Sequence, residues 1–178
     1  MNNIDDKEIV RRIREGDTGS FAVLVERHGS KVFSLAVRIT GNREDAEELT
    51  QDVFMKALGN LDSYRGDSAF ATWLYRIAYN SAVSRTRRKK REIPVGDEQA
   101  FRAGAGPDEG YDMERERRLG QIEGALARLP GRERILIEMY YYQDKSVEEL
   151  ACITGMSVSN VKVKLFRIRK KIFDDIAS

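Results

Sequence analysis

Apolar residues recur along this chain at intervals of three and four, and glycines and prolines punctuate the pattern. No Val/Ile/Thr-rich alternating run argues for strands, so the predicted elements are helices throughout. Ile9, Val10 and Ile13 mark a helix over 5–15, closed by Gly16. Thr18 or Ser20 opens a second, with Phe21, Leu24 and Val25 inward and His28-Gly29 at its end. A third over 30–40 places Val32, Phe33, Ala36 and Ile39 inward and stops at Gly41. Asn42 is a plausible N-cap for a helix to Leu58, whose inward stripe is Ala46, Leu49, Val53, Phe54 and Ala57. Its outward face, with Glu44, Glu48, Gln51, Asp52 and Lys56, is either a solvated surface or a docking face for a basic partner.

The stretch 68–91, SAFATWLYRIAYNSAVSRTRRKKR, contains no proline or glycine, and Asp67 or Ser68 would cap it. Phe70, Trp73, Leu74, Ile77 and Ala78 form one apolar stripe, with Tyr75, Arg76, Tyr79 and Asn80 outside it. Aromatics on more than one face, followed by a cationic end, suit stacking on bases and tracking of phosphates. The competing reading is a core helix with a solvated basic end.

Residues 92–112 have two prolines, several glycines, mostly acidic charge and little periodicity, which predicts a flexible linker between modules 1–91 and 113–178. GAGPDEG within it lacks the lysine and Ser/Thr of a phosphate loop. A helix over 114–128 is expected to turn Leu119, Ile122 and Leu126 inward, and Leu129-Pro130 breaks it. Ile135, Leu136, Met139 and Tyr140 mark 132–142. Ser146 with Glu149 is a capping box for a short helix with Val147, Leu150, Ala151 and Ile153 inward. After Gly155, Ser157 caps a last helix in which Val158, Val161, Leu165, Ile168 and Ile172 make the apolar stripe. Its free face presents Ser159, Asn160, Lys162, Val163, Lys164, Phe166, Arg167 and Lys170. Helix, glycine turn and cationic second helix make a helix-turn-helix that places this face in a major groove. The fold class is therefore all-α, with two helical domains joined by a linker.

The formal net charge of +2 conceals segregation. Residues 85–91 and 162–171 each carry six cations and no acid, which suggests a polyanion touched at two places. A single cysteine, Cys152, in an apolar stripe, excludes an intramolecular disulfide and reads as a small buried hydrophobe. One histidine, near a helix end, and no metal-ligand spacing leave an enzyme, a cofactor or a metal site without support. With no apolar h-region at the start and no membrane-length apolar run, a soluble cytoplasmic protein is expected.

Together these residues resemble the extracytoplasmic-function (ECF) sigma factors of bacterial RNA polymerase. DSYRGDSAFATWLYRIAYN, Asp62–Asn80, is similar to the family's promoter-melting segment; EDAEELTQDVFMKAL to its polymerase-docking helix; and residues 126–172 to its C-terminal domain. The resemblance implies that Glu48, Gln51 and Asp52, with Phe54 and Lys56 nearby, bind the clamp helices of core polymerase. It implies that an unpaired base of the −10 element is held near Tyr64, Arg65 and Phe70, with Trp73, Arg76 and Asn80 by the strand and Arg87 and Arg88 among the following cations. The −35 element would be read by Ser159, Asn160, Lys162, Val163, Lys164, Phe166 and Arg167, and an anti-sigma factor is the implied regulator. Two departures stand out. Ser84 lies where the family often has an acid, and Val163 where a polar residue is frequent, which favours a thymine methyl as its contact. The competing function is a stand-alone helix-turn-helix repressor whose N-terminal half dimerises or senses a ligand.

Overall fold

The computed structural model describes residues 4–92 and 113–177, with eight α-helices among them. They are α1 (Asp6–Arg14), α2 (Phe21–Thr40), α3 (Arg43–Gly59), α4 (Phe70–Glu92), α5 (Met113–Arg128), α6 (Gly131–Tyr142), α7 (Val147–Thr154) and α8 (Val158–Ala177). The linker expected over 92–112 lies outside the described residues, apart from Glu92 at the end of α4.

The N-terminal half packs α2 against α3 and α3 against α4, with α1 across α2. Its core is built from the stripes that the spacing predicts, including Ile9, Val10, Leu24, Val32, Leu49, Val53, Phe54 and Leu74. The predicted break at His28-Gly29 does not occur, because α2 is one helix of 20 residues. An interior glycine costs a helix about 1 kcal/mol. Burying Leu24 on one side of it and Val32, Leu35 and Ile39 on the other outweighs that cost. His28 thus sits mid-helix, its Nε2 2.8 Å from Asp6 and its ring beside Phe70, a structural role. Val25, expected inside, is exposed.

Stop and start signals are otherwise as spaced. Gly41 closes α2 in the left-handed region, and the Asn42 side chain accepts the Asp45 N–H to open α3. Helix α4 opens on the Ala69 carbonyl rather than on Asp67 or Ser68. In the C-terminal half, the Ser146–Glu149 capping box and the Asn160 N–H donating to the Ser157 hydroxyl frame a helix-turn-helix around Gly155. Val161, Leu165 and Ile168 bury the inner face of α8, which also packs on α5. Leu119 and Ile122, expected inside, are exposed, and α5 closes on the core only with Ala125 and Leu126. Cys152 is also exposed: α7 turns Leu150 and Ile153 inward, and residue 152 falls on the far side.

The two halves meet. Helix α4 packs against α6 and α7, and α2 packs against α6. Tyr75 is almost fully enclosed, and its hydroxyl donates to Gln143 Oε1 at 2.6 Å while Lys145 sits 4.4 Å above its ring. Arg38 pairs with the enclosed carboxylate of Glu138 at 3.2 Å and stacks on Tyr142, and Arg134 donates to the Arg38 carbonyl. Burial pushes the Glu138 carboxyl up, against the opposing pull of Arg38 and Arg134. At Gly131 a Cβ would lie 2.9 Å from the Thr86 hydroxyl, so α4 and α6 approach closely only because that residue is glycine. The rings of α4 therefore fall on more than one face because two neighbours cover it, which corrects the inference that Tyr75 and Tyr79 mark a nucleic-acid surface.

The expected cytoplasmic location is corrected to a narrower statement. Among the described residues no helix is long and apolar enough to cross a membrane, and that assigns no compartment.

Burial holds the Tyr75 hydroxyl neutral up to about pH 12, with Glu149 adding to the effect. The unfolded chain ionises its tyrosines near pH 10, so the stabilising effect of Tyr75 is complete below pH 10 and declines as the pH rises through 12. Tyr75→Phe leaves the Gln143 carbonyl without this donor, an expected cost of about 1 kcal/mol at pH 7. The gap between wild type and variant should shrink as the pH rises above 10 and reverse before pH 12, as read by urea midpoints from circular dichroism. A gap independent of pH would show that the hydroxyl is not held neutral by the fold.

Candidate nucleic-acid interface

A cleft of about 670 Å³ opens beside the first turns of α4. Its wall is the loop 63–68, and Gly66 makes the sharp turn of that loop at φ 78°. The loop is pinned from below: Arg14 donates to the carbonyls of Leu61 (2.7 Å) and Tyr64 (2.5 Å), and the Tyr64 hydroxyl donates to the Ser68 carbonyl. The opposite wall is the exposed arc of α4, which carries Arg76, Asn80 and Ser84, with half-buried Trp73 at its head. Arg65 and Arg76 bring two exposed cations, Trp73 a ring and Asn80 an amide to one opening. Those are the groups that hold an unstacked nucleotide: charge for the phosphate, a plane for stacking and donors and acceptors for a base edge.

The structure brings together Tyr64, Arg65, Trp73, Arg76 and Asn80 of the expected −10 set. Phe70 is excluded, and Tyr64 contributes only an edge. They are 2% and 3% exposed and pack on each other edge to face, each with its ring centroid 5.5 Å from that of Trp73. Both are corrected from base contacts to the support that orients Trp73. Burial, with Asp5 and Asp6 behind it, pushes the Tyr64 hydroxyl up, so it stays a donor to Ser68. Arg87 and Arg88 are exposed farther along α4, outside the cleft. Arg85 is spoken for: it bridges α4 to Asp45 (2.7 Å) and Glu48 (2.5 Å) on α3.

On the expected polymerase face, Glu48 and Gln51 are exposed and Asp52 is half-exposed. Phe54 is corrected: it lies in the core against Phe21, where its inward spacing places it, and offers nothing to a partner. Lys56 turns the other way. Its ammonium holds Asp52 (2.6 Å) and the Ser81 hydroxyl (3.0 Å) and lines the cleft. Spacing missed the exposed apolar pair Met55 and Leu58 on α3, which stand outside the inward stripe and beside Gln51. The signal was present, since two large apolar residues on an otherwise polar face have no role in the core.

All seven residues of the expected −35 set are exposed on α8. The later cations are partly committed within the domain: Arg169 donates to the Tyr141 hydroxyl and Lys171 to Glu133.

Residues 24–92 match the family model described as Sigma-70 region 2, and residues 119–172 match that of Sigma-70, region 4. The chain is 35% identical to the ECF RNA polymerase sigma-E factor of Escherichia coli (strain K12), over 95% of this chain and 93% of that protein. It is 31% identical to the RNA polymerase sigma-H factor of Pseudomonas aeruginosa, over 94% and 91%. Among solved structures, the fold is similar to CnrH in complex with the cytosolic domain of CnrY (TM-score 0.66, 24% identity, 95% of each chain). It is also similar to the sigma factor RpoE bound to the anti-sigma factor NepR from Bartonella quintana (TM-score 0.66, 22% identity, 88% and 96%). A repressor with an N-terminal dimerisation domain finds no support, because the N-terminal half is matched as region 2.

Phe70→Ala is expected to cost about 3–5 kcal/mol of stability, as for other buried aromatics. It should also redshift Trp73 fluorescence as the ring loses its backing. A change below about 1 kcal/mol in urea unfolding would return Phe70 to the surface.

Proposed function

The chain belongs to the ECF sigma factors of bacterial RNA polymerase, which bind core enzyme and recognise promoter elements without catalysis, and from that premise we propose how its residues divide the work. The α4 cleft captures an unpaired base of the −10 element, with Trp73 stacking, Asn80 reading an edge, and Arg65 and Arg76 on phosphates. Arg87 and Arg88 continue the phosphate track. Helix α8 reads the −35 element through its exposed face. Glu48, Gln51 and Asp52 on α3 meet the polymerase, flanked by Met55 and Leu58. The convergence of ring, amide and two cations in one cleft is the observation that carries this reading. Promoter opening then needs no chemistry, since a cleft that binds the separated strand better than the duplex shifts the equilibrium by that difference.

Geometry adds a conformational step. The centres of the −10 and −35 elements lie about 25 base pairs apart, about 85 Å along B-DNA. A compact chain of 178 residues is about 40 Å across. With the halves packed together, the protein reaches one element at a time. On the promoter α4 and α2 part from α6 and α7, and the chain between Glu92 and Met113 can reach about 75 Å at most. Core polymerase holds the parted halves in place, and an anti-sigma factor is the further partner we propose, acting by holding them apart from the polymerase.

In transcription reconstituted with core polymerase and a promoter library, the protein is expected to direct initiation, and failure at every site would remove the reading. Trp73→Ala should reduce open-complex formation about tenfold or more, from the loss of one stacking contact, with polymerase affinity within about twofold of wild type. Equal loss of both would place Trp73 in the fold alone. Asp52→Lys should instead weaken polymerase binding several-fold at low salt and less at high salt, and unchanged affinity would take α3 out of the interface.

A further inference from the structure

Helix α8 carries an exposed valine on a face whose other residues, Phe166 apart, suit a polar ligand. At about 100° per residue, the buried residues Val161, Leu165 and Ile168 point together towards the domain, and Val163 points directly away from them. Ser159 and Arg167 lie about 40° to either side of Val163, Asn160 and Phe166 about 60°, and Lys162 and Lys164 about 100°. Val163 is therefore the centre of the reading arc and the two lysines are its flanks. Val163 is 44% exposed and Phe166, one turn on, 66%. Laid in a major groove, such a helix puts its flanking lysines at the phosphate walls and its centre at the floor.

The floor of the groove is lined with donors and acceptors, and the thymine 5-methyl is its one apolar group. An isopropyl group pressed on any other base edge strips water from a polar atom and returns nothing. Against thymine, the two apolar surfaces are removed from water together. We propose that Val163 is a specificity-determining residue of this protein, seating the 5-methyl of a thymine at the base pair beneath the middle of α8, with Phe166 closing one side of the seat. This deepens the proposed −35 reading and rests on it. It also explains an exposed valine between two lysines without calling on the fold, because the inner stripe of α8 is complete without it.

The test uses the full chain with core polymerase. A −35 region is randomised and duplexes that support initiation are selected. Each thymine of the selected element is then replaced by uracil, which removes the methyl group alone. With the wild-type protein, one such replacement should weaken promoter binding about fourfold, the worth of one buried methyl. With Val163→Ser the same replacement should have no effect, and selection should lose its thymine preference at that pair alone. Val163→Ile should retain both. The substituted side chain is exposed, so thermal unfolding of the variants should match wild type. Uracil effects that are identical in wild type and Val163→Ser, or a selected element without a preferred thymine there, would overturn the proposal. Loss of initiation from every duplex with the wild-type protein is a different result, which would overturn the sigma reading beneath it.

Discussion

Helix α4 is enclosed from two sides, and the rest of the molecule is arranged around what that leaves. One side, with Phe70, Leu74, Ala78 and Ala82, completes the core of the N-terminal half. Another, with Tyr75 and Tyr79, is covered by the C-terminal half. Apolar burial at about 25 cal/mol per Å² makes both enclosures favourable, so the polar remainder of the helix becomes a narrow exposed arc. Arg76, Asn80, Ser84, Arg87 and Arg88 lie on that arc, and the cleft opens at its head. A helix free on three sides would present cations in every direction. This one presents them along a single track.

Within the cleft, rigidity comes from apolar packing, and on the proposed function polar groups do the reading. Tyr64, Phe70 and Trp73 form one aromatic cluster, and two carbonyl bonds from Arg14 hold the loop that faces it. The cations of the opening, Arg65 and Arg76, are exposed. Ion pairs between α3 and α4 serve differently. Arg85 with Asp45 and Glu48 holds the two helices in register, and Lys56, paired with Asp52 on its own helix, adds a hydrogen bond across to Ser81 nearer the cleft. Partly exposed pairs of this kind are worth about 0–1 kcal/mol each, so an incoming partner can displace them at small cost. The proposed polymerase face and the proposed DNA face thus share their supports.

Packing of the two halves leaves both proposed reading surfaces open. The α4 cleft is lined by residues of the N-terminal half, and the α8 face remains exposed. On the proposed function, the packed arrangement restrains the protein by distance, because neither surface is covered but the two are too close together to meet a promoter at once. The seam adds specific contacts to an apolar cluster that runs through both halves. It combines one enclosed tyrosine, a carboxylate between two arginines and a close approach at Gly131.

Helix positions, both capping residues around α7 and α8 and the whole exposed face of α8 were legible in the sequence, because periodicity and capping are local and every signal in them lies within a few residues. The family was legible too, since three motifs stood in order. Contacts between distant segments were not. Spacing could not tell that Gly29 would be carried through a helix by packing on either side, or that Leu119 and Ile122 would find no core to enter. The family resemblance gave Tyr64, Phe70 and Trp73 alike to the −10 element, and only the fold made two of them the backing for the third. Tyr75 lay outside the apolar stripe of its own helix, and its role depends on Gln143, 68 residues away. A sequence records which face of a helix is apolar. Which neighbour covers that face, and what remains exposed afterwards, is settled only when the chain closes on itself.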